Sequence, residues 1–544
     1  MGVQQQDCKV CGVKEANVSC SECEQVFYCS SRHQEEDWEE HKVECQALVI
    51  EQKDPVKGRY LVVARNVTAG ELLFKENPIA LGPRATSRPI CLGCHELIET
   101  YEFAKCPKCS WPLCSLACAS AKLHQAECPI LAADKGQIGL PTNLGESPYY
   151  DVILVLRCLL LRHSDSKAWQ RLLQMASHAV HLENESEPFH MATILYIKDI
   201  LQASFDAKFI HHARGAIMAN CFEWTSPSNV SLRGVYPKTA RMNHSCLPNV
   251  TMSSDRNGVM YIRAAVDIKA LTPLHITYTG TLGPLWERQA YLNEIHYFNC
   301  GCQRCKDPSE LGLHYSSPKC DTCKQQFMEP NSWLGETVWE CPMCHVVFQD
   351  NLIKTEYVQW MSKFDCNDTF IMAHTKGVRN TLDRVEYAFH PTHHVWVMAA
   401  QVAIRTLQKI SNRDALMLRR DLWKRLLRIY DVLEPGMTRR RGMTMYELGV
   451  CVSSLARVEM KEGRLTDHFY KIDMEEALQY MQNSLKILSL EPPDSHERKW
   501  YLSALQIVEG IKRDLLAVAE KSKILSLDLL ENIDMPEKAE IENL

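Results

Sequence analysis

The sequence has no long apolar run: its most hydrophobic stretch, Val152 to Leu161, is short and carries Arg157. A membrane-crossing helix needs about 20 apolar residues, so this stretch reads as a core helix and no membrane insertion is expected. The first residues, MGVQQQDCKV, lack the apolar segment of a secretory signal, and Gln6 stands where an N-myristoylation signal wants Ser or Thr. The expected location is therefore cytoplasmic and/or nuclear. Neither charge dominates, since 61 Lys+Arg face 67 Asp+Glu for a net −6, which argues against both a polybasic nucleic-acid binder and a disordered tail. No low-complexity linker divides the 544 residues, a length that gives roughly three to five domains.

What the sequence does have is 25 cysteines. Without an export signal, tight cysteine clusters read as metal sites rather than disulfides. The first pattern is Cys8-x2-Cys11-x8-Cys20-x2-Cys23-x5-Cys29-x3-His33-x7-His41-x3-Cys45, and a second follows at Cys91-x2-Cys94-x11-Cys106-x2-Cys109-x4-Cys114-x3-Cys118-x5-His124-x3-Cys128. Each supplies eight ligands, enough for two tetrahedral zincs. Spacing leaves open whether ligand pairs share a metal sequentially or in an interleaved order. Cys300-x-Cys302-x2-Cys305 lacks a fourth ligand, whereas Cys320-x2-Cys323-x17-Cys341-x2-Cys344 is a complete four-cysteine ribbon spacing.

The two eight-ligand stretches resemble MYND zinc fingers. That resemblance implies interleaved pairing: Cys8, Cys11, Cys29 and His33 on one zinc, with Cys20, Cys23, His41 and Cys45 on the next. In the second finger it implies Cys91, Cys94, Cys114 and Cys118, then Cys106, Cys109, His124 and Cys128. NHSCLPN at Asn243 to Asn249 is similar to the signature of SET-domain lysine methyltransferases, and ITY at Ile276 to Tyr278 matches the tyrosine-bearing segment that follows it. The order of strands, finger, helices, NHSC, Tyr strand, C-x-C-x2-C and helical tail resembles the SET-and-MYND proteins. The extra N-terminal finger and the ribbon make it most like the arthropod, SmydA-like branch. In such proteins the NHSC segment lies beside the post-SET cysteines, which implies Cys246 as their fourth ligand. Twenty-four ligands then fill about six zinc sites, leaving Cys158, Cys221, Cys366 and Cys451 over.

The fold expected is α+β and zinc-rich: a SET-type β fold with an inserted MYND finger, an extra N-terminal finger and a C-terminal helical, TPR-like domain. The expected divisions are finger 8–45, SET N-terminal strands 57–90, inserted finger 91–128, helical SET insertion 129–212, and SET core 213–283. They continue with a post-SET zinc site 284–306, a ribbon-like site 320–344 and the helical domain 351–544, where segments such as DALMLRRDLWKRLLRIYDVL carry apolar residues at helical spacing.

The resemblance implies S-adenosylmethionine as cofactor, held by the Gly58-Arg59-Tyr60 turn, Asn243 and His244, with Phe298 packed on it and Tyr278 orienting the lysine amine and the methyl group. Read as structure only, Asn243 is a turn residue and Tyr278 a packed strand tyrosine. Two residues depart from the family pattern: Tyr60 replaces a second glycine in the turn, and His296 stands where a second tyrosine is usual, with Tyr297 one place later. The function implied is lysine methylation of histone or non-histone proteins, with fingers and tail recruiting partners in transcriptional regulation. The alternative is an inactive SET-derived scaffold or corepressor, Tyr60 obstructing the cofactor. MYND fingers resemble docking sites for proline-containing peptides. From Cys8 to Cys45 four cations face nine carboxylates, so direct nucleic-acid binding is not expected. The basic run Arg439-Arg440-Arg441 reads as a solvated helix face rather than an import signal.

Overall fold

The computed structural model describes residues 7–13, 16, 18–20, 26–44, 47–98, 103–134, 148–180, 188–226, 228, 230–333, 337–365 and 375–522. Its centre is a set of small sheets. Val49–Asp54 pairs antiparallel with Gly58–Val63. Leu72–Glu76 lies beside Met260–Ala264 and Val250–Ser254 in a three-stranded sheet. A second three-stranded sheet joins Ala80–Pro83, Ser231–Val235 and Cys221–Thr225. In these central sheets pairing thus begins at Val49, ahead of Lys57, because the VIEQKD strand alternates with charges and exposes one face, which hides its apolar signal. Asn243–His244 runs parallel to His275–Ile276, so the NHSC segment is threaded beside the Tyr278 segment. Leu61, Val63, Phe74, Met242, Ile262 and Ile276 form the buried centre beneath them.

The Val152–Leu161 run is the middle of a helix, Pro148–Ser164, and packs on the second finger and the neighbouring helices in one core. Its Arg157 is 6% exposed, and its guanidinium is saturated. Nε and Nη2 donate to the two Glu127 oxygens at 2.7 and 2.9 Å, and Nη1 donates to His95 Nε2 at 2.7 Å. The carbonyls of Leu81 and Leu92 accept the remaining bonds. Burial, and then the Arg157 charge, hold His95 down to about 3, so it stays a neutral acceptor. One arginine therefore ties the insertion helix to the finger that precedes it.

Beyond the ribbon strands Glu329–Pro330, Val338–Glu340 and Val347–Gln349, the described residues are mainly helical, from Asp350–Asp365 to Arg498–Ser522. They meet the SET core at Gly436. Its φ of +81° and the 2.0 Å that would separate an added Cβ from the Ala265 carbonyl oxygen demand glycine, and the next residue, Met437, donates to that oxygen at 2.7 Å. The basic run after it is ion-paired rather than merely solvated. Arg439 grips Glu491 and Glu497, Arg440 pairs with Glu434, and Arg441 with Asp431. These carboxylates offset three cations at a helix N-terminus, where the dipole disfavours them.

Removing one member of a buried pair leaves an uncompensated charge. Arg157→Leu is expected to cost about 3–5 kcal/mol, read as a fall in the urea midpoint of the zinc-replete chain, and Arg157→Leu with Glu127→Leu to recover part of it. A loss under about 1 kcal/mol for the single change would mean the network is not what anchors the helix.

Candidate functional site

The site is assembled by sulfur. Among the described residues, five groups of four Cys/His donors converge, the donor atoms of each lying within 4.8 Å of one another. They are Cys8, Cys11, Cys29 and His33; Cys91, Cys94, Cys114 and Cys118; Cys106, Cys109, His124 and Cys128; Cys246, Cys300, Cys302 and Cys305; and Cys320, Cys323, Cys341 and Cys344. The second finger is thus interleaved. In the first, Cys20 and His41 are buried, while Cys23 and Cys45 lie outside the described residues, as does Cys366. The C-x2-C pairs share one local device. The residue four places after the first cysteine turns left-handed and donates its N–H to that cysteine's carbonyl: Gly12, His95, Ser110, Lys324 and His345, at φ from 58 to 65°. This turn swings both thiols to one side.

The donor sets fit zinc. A tetrahedron with Zn–S of about 2.3 Å has S···S edges of about 3.8 Å. Cys246 Sγ lies 4.0 Å from Cys300 and 3.5 Å from Cys305, Cys106 lies 3.6 Å from Cys128, and Cys323 lies 3.7 Å from Cys341.

The Cys246 group joins the NHSC segment to the strip after helix Leu285–His296. That helix ends on Tyr297 at φ 57°, a left-handed stop that redirects the chain toward Phe298 and Cys300. Gln289 fastens the turn with both amide atoms, accepting from the Cys300 N–H at 2.9 Å and donating to its carbonyl at 2.8 Å. Four thiolates on one Zn²⁺ carry a net −2, and a cation stands against them: the buried Arg288 donates to Cys305 Sγ at 3.8 Å and to Glu310 at 2.9 Å. Hydrogen bonds from the other three thiols, Cys300 first, hold Cys246 far below the ordinary thiol range.

His244 connects this group to the cavity next to it. Its Nδ1 accepts the Tyr278 backbone N–H at 3.0 Å, which puts the ring proton on Nε2, 3.3 Å from Cys246 Sγ, to which it donates. One imidazole therefore links the two parallel segments and a zinc ligand. The cavity measures about 1090 Å³ and is lined by Gly58, Arg59, Asn243, His244, Tyr278 and Phe298, all anticipated from sequence. Gly58 holds φ +70°, which the turn requires. Asn243 Nδ2 donates to the Lys57 carbonyl at 3.2 Å, tying the NHSC segment to that turn. Arg59 donates to Gln174 Oε1 at 3.2 Å and to its carbonyl, closing one wall against the insertion helices.

Tyr60 is corrected: it does not line the cavity. Adjacent strand residues face opposite ways, so with Arg59 on the cavity side, Tyr60 turns to the other face. There its hydroxyl donates to Gln52 Oε1 at 3.0 Å across the ladder. Tyr297 also stays out of the wall, its ring 5.0 Å from His178, whereas His296 lines the cavity with its ring 4.7 Å from Tyr278. Sequence reasoning missed Lys57, His178 and Asn220 in the wall. None lies in a motif, and only the tertiary fold brings them in. The Tyr278 hydroxyl donates to the Met242 carbonyl at 2.9 Å, and burial pushes its pKa up to about 12, so the phenol stays protonated.

Cys246→Ser is expected to lower bound zinc by one equivalent per chain, measured by elemental analysis, and to open the strip around residues 296–306 to protease. Unchanged metal content would contradict the assignment.

A family model described as MYND finger matches residues 8–45, and one described as SET domain matches 58–279. The SET domain-containing protein SmydA-8, isoform A, of Drosophila melanogaster is 27% identical over 311 residues, 54% of this chain and 64% of that protein. The N-lysine methyltransferase SMYD2-B of Xenopus laevis is 27% identical over 286 residues, covering 48% of this chain and 62% of its own length. The Histone-lysine N-methyltransferase ASHR1 of Arabidopsis thaliana is 26% identical over 275 residues, 46% and 54% of the two chains. The chain thus spans between half and two thirds of the length of these relatives. A solved structure titled as the SET domain of LSMT bound to lysine and AdoHcy covers 94% of this chain and 98% of its own at 12% identity, with a TM-score of 0.27, too low to bear on the site. With matches to the MYND finger and SET domain models and relatives that include SmydA-8, the chain is similar to the SET-and-MYND proteins.

Proposed function

We propose that this chain methylates lysine side chains of protein substrates, histone or non-histone, using S-adenosylmethionine. The observation that carries the reading is the convergence, on one cavity of about 1090 Å³, of the Lys57–Arg59 turn, Asn243, His244, Tyr278 and Phe298, from widely separated segments. When bound, S-adenosylmethionine supplies an electrophilic sulfonium methyl. Asn243 and the turn backbone would hold it, and Phe298, carried by the clamped strip, would cover it and exclude water. Tyr278 acts as a fixed hydrogen-bonding group rather than a base, because its proton is retained and committed to Met242. Positioning of this kind supplies much of a methyl-transfer rate.

A second cleft of about 630 Å³ is lined by Ile276, Thr277 and Thr279 of the Tyr278 segment and by Arg405 and Trp423 of the helical region. The resemblance of the fingers to MYND modules supports proline-containing peptides as partners, and the acidic charge of the first finger disfavours nucleic acid. Such recruitment, with action in the cytoplasm, the nucleus or both, fits a role in transcriptional regulation. The scaffold reading loses its first ground, since Tyr60 is outside the cavity.

Calorimetric titration of S-adenosylmethionine into the zinc-replete chain is expected to give binding that Asn243→Ala weakens by about tenfold or more, while Tyr60→Gly changes it by less than about threefold. No binding to the unmodified chain would overturn the methyltransferase reading.

A further inference from the structure

Residues 307–319 connect the Cys246 group to the ribbon and meet the helical region beside two consecutive histidines. Pro318 bridges to Phe389, the Thr392 hydroxyl donates to the Leu313 carbonyl, and the His394 N–H donates to the Tyr315 carbonyl at 3.0 Å. The same linker fastens the helix that leads to Phe298, since the Ser316 hydroxyl accepts the Leu285 N–H at 2.8 Å.

His393 and His394 open the helix His394–Leu407, are each 1% exposed, and hold their rings 4.3 Å apart. Hydrogen-bond direction sets both tautomers. His393 Nδ1 accepts the Val395 N–H at 3.2 Å as the helix cap, so its proton sits on Nε2, and the ring also bonds the Ser316 backbone. His394 Nδ1 donates to the Tyr315 carbonyl at 3.0 Å, which leaves its Nε2 lone pair buried without a hydrogen-bond partner. A second proton on His393 would take the lone pair that caps Val395, and one on His394 would make a cation with no acceptor.

The surroundings do not offset such a cation. The charges facing His394 are Arg288, Arg304 and Glu310, two cations against one carboxylate that already pairs with both. Trp286, Tyr315 and Tyr357 complete its walls, with the Tyr357 hydroxyl committed to Glu287 and that of Tyr315 to the Leu282 carbonyl. Phe389 stacks on His393 at 4.4 Å, and His390 is its other titratable neighbour. Burial holds His394 down to about 3 and His393 well below the imidazole range, and it pushes His390 down to about 4.

We propose that His393 and His394 form an acid-sensitive latch, holding the linker between the two zinc sites on the helical region while neutral and releasing it in mild acid. The latch is independent of the methyltransferase reading. Both rings titrate lower in place than the 6.5 of a free imidazole, so their contribution is full above pH 6.5 and is lost as pH falls below it. A ring that gains its proton only on release favours opening about tenfold per pH unit below that value, and the pair about a hundredfold.

The test is amide hydrogen exchange of the full, zinc-replete chain, read by mass spectrometry over residues 313–319 and 389–397 and corrected for the intrinsic rate at each pH. The comparison is His393→Asn with His394→Asn, because asparagine caps a helix and donates from Nδ2 but does not titrate. Between about pH 7.5 and about pH 5.5, protection in the unmodified chain should fall about a hundredfold or more, and in the double variant about tenfold or less, the remainder coming from His390. If the double variant does not fold, His394→Asn alone should make the fall about tenfold smaller. Protection that does not change with pH in the unmodified chain would overturn the latch. So would an equal fall in the asparagine variants, the result expected if acid acts by stripping zinc from the thiolates.

Discussion

Everything near the cavity depends on bringing Cys246 within 4 Å of Cys300 and Cys305 across more than fifty residues of chain. The strip that must be held has few apolar side chains: Cys300 and Cys305 are buried, and Phe298 is only partly so. Hydrophobic burial at about 25 cal/mol per Å² cannot fasten so thin a segment. Closing a loop of that length costs only a few kcal/mol, whereas a structural zinc site contributes about 10–16 kcal/mol. Metal ligation is strong and local enough to set the strip over the cavity, with the Gln289 and Arg304 hydrogen bonds beside it.

The clamp and the cavity share atoms rather than merely adjoining. His244 lines the cavity, donates to Cys246 and accepts from Tyr278, so the position of the sulfur fixes the strand that carries the phenol. On the other side, Arg288 faces the thiolates and Glu310, so the negative cluster is balanced by a buried cation. Arg304 reaches the same Glu310 at 3.1 Å. The ion pairs on Glu310 hold this network, although Arg288 Nε, Arg304 Nη2 and Glu310 Oε2 are buried without a hydrogen-bond partner.

Much of this was legible in the sequence, for physical reasons particular to each element. Zinc demands paired ligands at a spacing a tight turn can serve, so C-x2-C pairs announce themselves, and interleaving resolved once the chain folded. The helical tail was readable because residues such as Leu418, Leu422, Leu426, Ile429 and Leu433 recur on one buried face. The sequence misled where side-chain direction mattered. Tyr60 looked like an obstruction in a linear motif, but strand parity sends it to the far face. His296 rather than Tyr297 enters the wall because the helix ends between them in a left-handed residue, a choice no spacing rule records. Val49–Asp54 escaped notice because a half-exposed edge strand alternates with charge.

The central claim is that coordination at Cys246, Cys300, Cys302 and Cys305 builds the cavity proposed to hold the cofactor. It is tested most directly by calorimetric titration of S-adenosylmethionine into the Cys302→Ser chain, with zinc retained at the remaining sites. The account predicts at least about a hundredfold loss of affinity, since Phe298 and His296 would no longer be held over the cavity. Affinity equal to that of the unmodified chain would contradict it.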